Sequence, residues 1–190
     1  MSYDFLLLFR NPGQSWHEVL EANERLALEE DDRPLSPVTQ TRLERMAERL
    51  QAHDPQLERY TTERKIELTR ADIAGIQVSL FSRELSVTVA YWHTGPTARA
   101  VMQIVWSYLV ILAEETGWEV YDPQLDRSLD PARDLDAVTG GYADMSARLH
   151  RMTPEALRHP HRSGCSPSAH HHRRDRAHSG HITSRSAQNQ

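Results

Sequence analysis

The chain has 190 residues, of which 38% are hydrophobic and 26% charged, and its net charge is −5. That composition fits an ordinary soluble domain and excludes a fibre or a membrane-embedded bundle. Residues 151–190 hold seven arginines against Glu155 and Asp175, a net +5, so the first 150 residues carry −10, too acidic a body for general affinity to nucleic acid.

Residues 3–10 open the chain as a strand. Phe5, Leu7 and Phe9 share one face and Leu6 and Leu8 the other, the pattern of a central strand covered on both sides. Asn11-Pro12-Gly13 ends it as a turn. Ser15 and Glu18 form a capping-box pattern, and Val19, Leu20, Leu26 and Ala27 follow at helical spacing, which predicts a helix over 16–28. The acidic run before Pro34 breaks it. Ser36-Pro37 then starts a second helix, with Leu43, Met46, Ala47 and Leu50 as its apolar stripe and Pro55 as its limit.

A β region follows. Ile66 and Leu68, then Ile76, Val78 and Leu80, then Leu85, Val87, Val89 and Tyr91 alternate with mostly polar residues, the period of half-buried antiparallel strands. The last two runs read as a hairpin. Residues 98–116 predict a long helix that is apolar almost all round, with a narrow polar stripe of Arg99, Gln103, Ser107 and Glu114. Gly117 stops it. Its outer side calls for cover from the first two helices or from a second subunit, which makes a homodimer one expectation. Trp118, Val120 and Tyr121 give a last short strand. Residues 124–136 read as a polar loop, and 137–152 as a short helix or turn around Gly140-Gly141. The expected fold is α+β, a mostly antiparallel sheet of about five strands packed by three helices, over residues 1–150. Residues 151–190 are expected to form a disordered His/Arg/Ser-rich tail.

The single cysteine, Cys165, cannot make an intramolecular disulfide, which points to a reducing, cytoplasmic setting. No export signal is read, because Asp4 precedes a short apolar run with no small-residue cleavage site. The longest apolar stretch, 101–113, is broken by Gln103 and Ser107 and is well short of the roughly 20 residues of a membrane span.

Chemistry-bearing motifs are scarce. Seven histidines between His159 and His181 could hold metal weakly, as any exposed histidine cluster does. No Cys-x-x-Cys pair, phosphate loop, nucleophile motif or calcium loop is present, so no cofactor and no metal is expected. Tyr91-Trp92-His93 ends one strand and Tyr121-Asp122 another, while Asp4 opens the first. If those ends meet, His93 with Asp122 or Asp4 makes an acid/base pair. The plainer reading has Tyr91 and Trp92 capping the core and His93 in a solvated turn. Trp92, His93, Tyr121 and Asp122 are the candidate binding residues.

The opening Met1-Ser-Tyr-Asp and the segment Gly117-Trp-Glu-Val-Tyr-Asp-Pro-Gln124, followed by Arg127 and Asp130, resemble a pattern in small uncharacterised bacterial proteins. Some of these are similar to immunity proteins that neutralise a toxin partner. The matching pieces cover under a fifth of the chain. The resemblance implies a non-catalytic binding protein, an immunity-type inhibitor, and the acidic body points to a partner with a basic surface. Two other readings stand beside it: a small enzyme with a strand-end His/Asp site, and a structural homo-oligomer subunit.

The tail has few apolar residues to offset a backbone entropy of roughly 1–2 kcal/mol per residue. Truncation after Met152 is therefore expected to leave the melting temperature unchanged. A fall of several degrees in a calorimetric scan would contradict this.

Overall fold

The computed structural model describes residues 1–30, 33–72 and 74–152. The expected tail, Cys165 and the histidine-rich tract lie outside the described residues.

Alternation builds the central strand. In β1 (Ser2–Leu8) Tyr3, Phe5 and Leu7 are buried on one face, and Leu8 is buried on the other. Phe9, expected beside Phe5 and Leu7, falls past the strand end and is exposed, because pairing stops at Leu8. In α1 (Trp16–Glu30) the cap is reciprocal: Ser15 Oγ accepts from the Glu18 amide, and Glu18 Oε2 accepts from the Ser15 amide. In α2 (Pro37–His53) Ser36 Oγ accepts from the Thr39 amide, and the expected stripe of Leu43, Met46, Ala47 and Leu50 is buried.

The remaining elements are β2 (Glu58–Thr61), β3 (Ile66–Arg70), β4 (Ile76–Leu80), β5 (Glu84–Ala90), α3 (Gly95–Thr116), β6 (Glu119–Asp122), β7 (Arg127–Leu129) and α4 (Leu135–Met152). The strands form one antiparallel sheet in the order β2-β3-β4-β5-β1-β6-β7. The architecture is α+β, as the sequence implied. The described residues hold seven strands and four helices, where about five and three were expected.

Each difference has a physical cause. β2 is an exposed edge strand with no apolar alternation, held through backbone pairing to β3. β7 lies in the stretch read as a polar loop; three residues suffice because β6 supplies the partner. The helix α4 runs through Gly140-Gly141, a penalty of about 1 kcal/mol per glycine. Burial of Val138 and Tyr142 against the core, worth roughly 1.5–3 kcal/mol per side chain, outweighs it.

The register places Tyr3, Phe5 and Leu7 in rows with Val89, Val87 and Leu85, and on to Ile76, Val78 and Leu80. This face carries α2, α3 and α4. The long helix α3 links β5 to β6, which lie on either side of β1, so it crosses β1 on the core face. Its second side is covered by α2 and α4. Of the first two helices only α2 does this. α1 lies on the opposite face, where Trp16 stacks on Tyr121 and Asn23 Nδ2 donates to Glu84. By length and composition α3 could cross a bilayer, but here Val105, Tyr108, Leu109 and Leu112 are buried in the core. Gly117 closes it in the left-handed conformation at φ 67°.

Two contacts pin α3. Trp106 is 6% exposed, and its indole N–H donates to the Pro131 carbonyl at 2.8 Å. Trp106→Ala should cost about 3–5 kcal/mol in denaturant unfolding. A loss under about 1 kcal/mol would mean that the indole contributes little burial.

At the other contact, Asp54 at the end of α2 accepts hydrogen bonds from the Tyr108 hydroxyl and from Arg70 Nη1, the latter at 2.6 Å. Burial works against the Asp54 carboxylate. The Tyr108 and Gln56 hydrogen bonds and the Arg70 charge outweigh it, and they hold the carboxyl below its ordinary value of 3.8. A carboxyl held lower in the folded state adds stability that is fully present above the ordinary value. That stability falls away as acid titrates the group downward through the lowered one. Asp54→Asn should therefore cost about 2–3 kcal/mol at neutral pH. Below about pH 4 it should lose stability less steeply than the wild type. Parallel acid-unfolding curves for the two proteins would contradict this.

Candidate functional site

The segment after β5 holds the candidate residues Trp92 and His93. Trp92 is 59% exposed, while His93 is buried beneath it. The backbone here is tied to α4: Tyr142 donates to the Ala90 carbonyl at 2.5 Å, and Ser146 Oγ lies 2.9 Å from the Tyr91 carbonyl and 2.6 Å from that of His93. The Tyr91 and Tyr142 rings stack at 5.4 Å, and burial pushes both hydroxyls up to about 12.

Trp92 rests on the turn between β3 and β4. A Cβ added to Gly75 would lie 2.4 Å from the indole, and Gly75 sits at φ +57°, where side chains are strained. Glycine is thus what lets the edge of the indole come this close to the turn. The indole N–H donates to His93 Nε2 at 2.8 Å, and the same nitrogen lies 2.9 Å from the Ala74 carbonyl. One nitrogen cannot accept and donate together, so the histidine tautomer decides which bond forms. Either way Nε2 is occupied.

Asp122 is fully buried. It accepts from the Tyr3 hydroxyl at 2.6 Å and from the Gln124 and Leu125 amides at 2.8 and 3.1 Å. The Tyr3 hydroxyl is held far above its ordinary range, first by burial and then by this carboxylate. Tyr121 is buried under Trp16, with ring centroids 4.5 Å apart, and donates to Asp126 at 2.7 Å. Asp4 accepts from Thr88 at 2.8 Å and from Ser2.

The four candidate residues do not converge. Among the described residues no hydrogen bond or ion pair joins His93 to Asp122 or Asp4. The route from Asp122 to His93 runs through the packed rings of Tyr3, Tyr91 and Tyr142. His93 is not the solvated turn residue of the plainer reading; it is a buried prop beneath Trp92. Among the described residues no group of three His, Cys, Asp or Glu side chains is placed to hold a metal.

What does gather around Trp92 is apolar. Met1, Tyr91, Leu149 and Met152 line a shallow depression of about 410 Å³ beside it. Met1 and Met152 are exposed, and Met145 adds partly exposed surface on the same stripe of α4. Sequence reasoning missed these residues. Their one signal is the spacing of Met145, Leu149 and Met152 along a helix, obscured because residues 137–152 read as only a short helix or turn around Gly140-Gly141. Comparison with protein-family models, curated proteins and solved structures gave no match.

Proposed function

We propose that this chain is a non-catalytic protein-binding module that docks through the Trp92 patch, and that its partner carries a basic surface. The observation that carries this reading is the indole itself. A tryptophan more than half exposed, with its ring edge close against Gly75 and its indole N–H 2.8 Å from His93 Nε2, loses little freedom on docking. Rigid aromatic anchors of this kind supply most of the affinity at interfaces. Methionines around it adapt to a partner's shape. The charge of −10 over the first 150 residues favours encounter with a basic partner, with a rate that falls as salt rises. An immunity-type inhibitor is the specific form of this reading.

The enzyme alternative is the less favoured, because His93 Nε2 and Asp122 are each committed to other partners. A homo-oligomer using the same patch is the other reading, since a second copy could bury Trp92 against Met152.

Trp92→Ala should keep the fold and weaken binding of a captured basic partner by about 2 kcal/mol, roughly 30-fold. Gly75→Ala should weaken it too, with no aromatic removed, because the indole must swing away. Surface plasmon resonance at two salt concentrations checks both. Unchanged affinity in both variants would move the site elsewhere, and turnover of a small molecule abolished by His93→Ala would overturn the reading.

A further inference from the structure

The acidic body contains one strongly basic concavity. A cleft of about 900 Å³ opens between α1, the start of α2, and the β2–β3 and β4–β5 turns. Its size falls within the range of small-molecule sites. Arg33, Arg42, Arg64, Lys65 and Arg83 all line it. Three of these charges are already engaged. Lys65 pairs with Glu67 at 2.5 Å and lies over the Phe81 ring, and Arg64 and Arg83 have partners of their own.

Arg33 and Arg42 are different. Among the described residues neither has a carboxylate partner. Arg42 Nη2 donates to the Ser82 carbonyl at 2.8 Å, and its guanidinium is stacked over Trp118 at 5.2 Å. Its Nε is buried with no hydrogen-bond partner among the described residues. Among the described residues that guanidinium charge is met only by a carbonyl and a ring face, which leaves it to attract an anion in the cleft. The positive end of α2 opens onto the same space through Ser36 and Thr39. Glu84 is the one carboxylate among the described lining residues; it is tied to Asn23 at 2.6 Å, and burial raises its pKa.

Apolar groups share the remaining wall with Asn23, Thr62 and Ser82. Val38 is 82% exposed in the first turn of α2, and Phe81 and Leu35 flank it across the opening. A valine left bare beside arginines that have no carboxylate partner among the described residues is an arrangement that suits a ligand with two chemistries.

We propose that this cleft binds an amphipathic organic anion, with its carboxylate or phosphate-monoester head on Arg33 and Arg42 and its apolar body on Val38, Leu35 and Phe81. This site is separate from the Trp92 patch and does not depend on it.

Titration calorimetry on the full chain tests this with four probes: octyl phosphate, octanoate, inorganic phosphate and neutral octyl glucoside. The two octyl anions should bind saturably, each at least about tenfold more tightly than the head alone or the neutral chain, a difference of about 1.4 kcal/mol. Arg33→Gln and Val38→Asp sit at exposed positions and should each weaken octyl-anion binding at least fivefold, with an unchanged circular dichroism spectrum. Equal binding of octyl glucoside, or equal binding of inorganic phosphate, would overturn the proposal. So would octyl-anion binding untouched in the Arg33→Gln, Val38→Asp double variant, or no binding by any probe.

Discussion

β1 is the strand on which the rest of the sheet depends. The meander β2–β5 and the hairpin β6–β7 make no ladder with each other; each reaches the other only through β1. The strand pairs with β5 along its whole length and with β6 over Leu6–Leu8. It therefore needs apolar residues on both faces, and it has them. Phe5 and Leu7 join the main core, while Leu8 is buried on the α1 side. A polar residue at position 5 or 7 would face a core with no water and no partner, at a cost of several kcal/mol. The path of α3 follows from the same constraint. With β5 and β6 on either side of β1, the connection must cross over it, and only the core face leaves a long apolar helix covered.

Tyrosine–aspartate pairs recur as fasteners. Tyr3 holds Asp122, Tyr108 holds Asp54, and Tyr121 holds Asp126. In each, a phenol donates to a carboxylate that a turn or helix end has already placed. Charge-assisted bonds of this kind contribute about 1.5–3 kcal/mol, more than neutral ones. Burial first, and then these bonds, raise the tyrosine pKa, so all three phenols stay neutral donors across the physiological range. The carboxylates that invite a catalytic reading are thus spent on architecture. Asp122 closes a turn and anchors Tyr3 across the central strand.

The two surfaces with ligand character differ in kind. Trp92 offers a rigid apolar ring with its polar edge satisfied internally by His93. In the basic cleft Arg42 has no carboxylate partner among the described residues; its guanidinium donates to the Ser82 carbonyl and lies over Trp118. The first suits a broad partner, since it is shallow; the second suits something small enough to enter. Both rely on backbone placed by glycine or by a helix start, where a side chain can stand clear of the core.

Local pattern by itself determined much of this protein. The period-two runs from Ile66 to Val89, the Ser15 and Ser36 caps, the stripe of α2 and the stop at Gly117 are fixed by neighbours within a few residues, and all stand in the fold. So does the central place of β1, since double-faced apolar residues admit only a covered strand. Tertiary structure decided the rest. β2 and β7 carry too little apolar pattern to announce themselves and exist because a partner strand offers its backbone. α4 overrides two glycines because α3 gives Tyr142 and Val138 somewhere to be buried. The site was legible only in part: of the candidate binding residues Trp92 is exposed, whereas Tyr121 and Asp122 are buried. Trp16 lies over Tyr121 and Tyr3 reaches Asp122 across 119 positions of sequence. Whether an aromatic at a strand end meets solvent depends on what distant segment lands on it, and no local pattern carries that information.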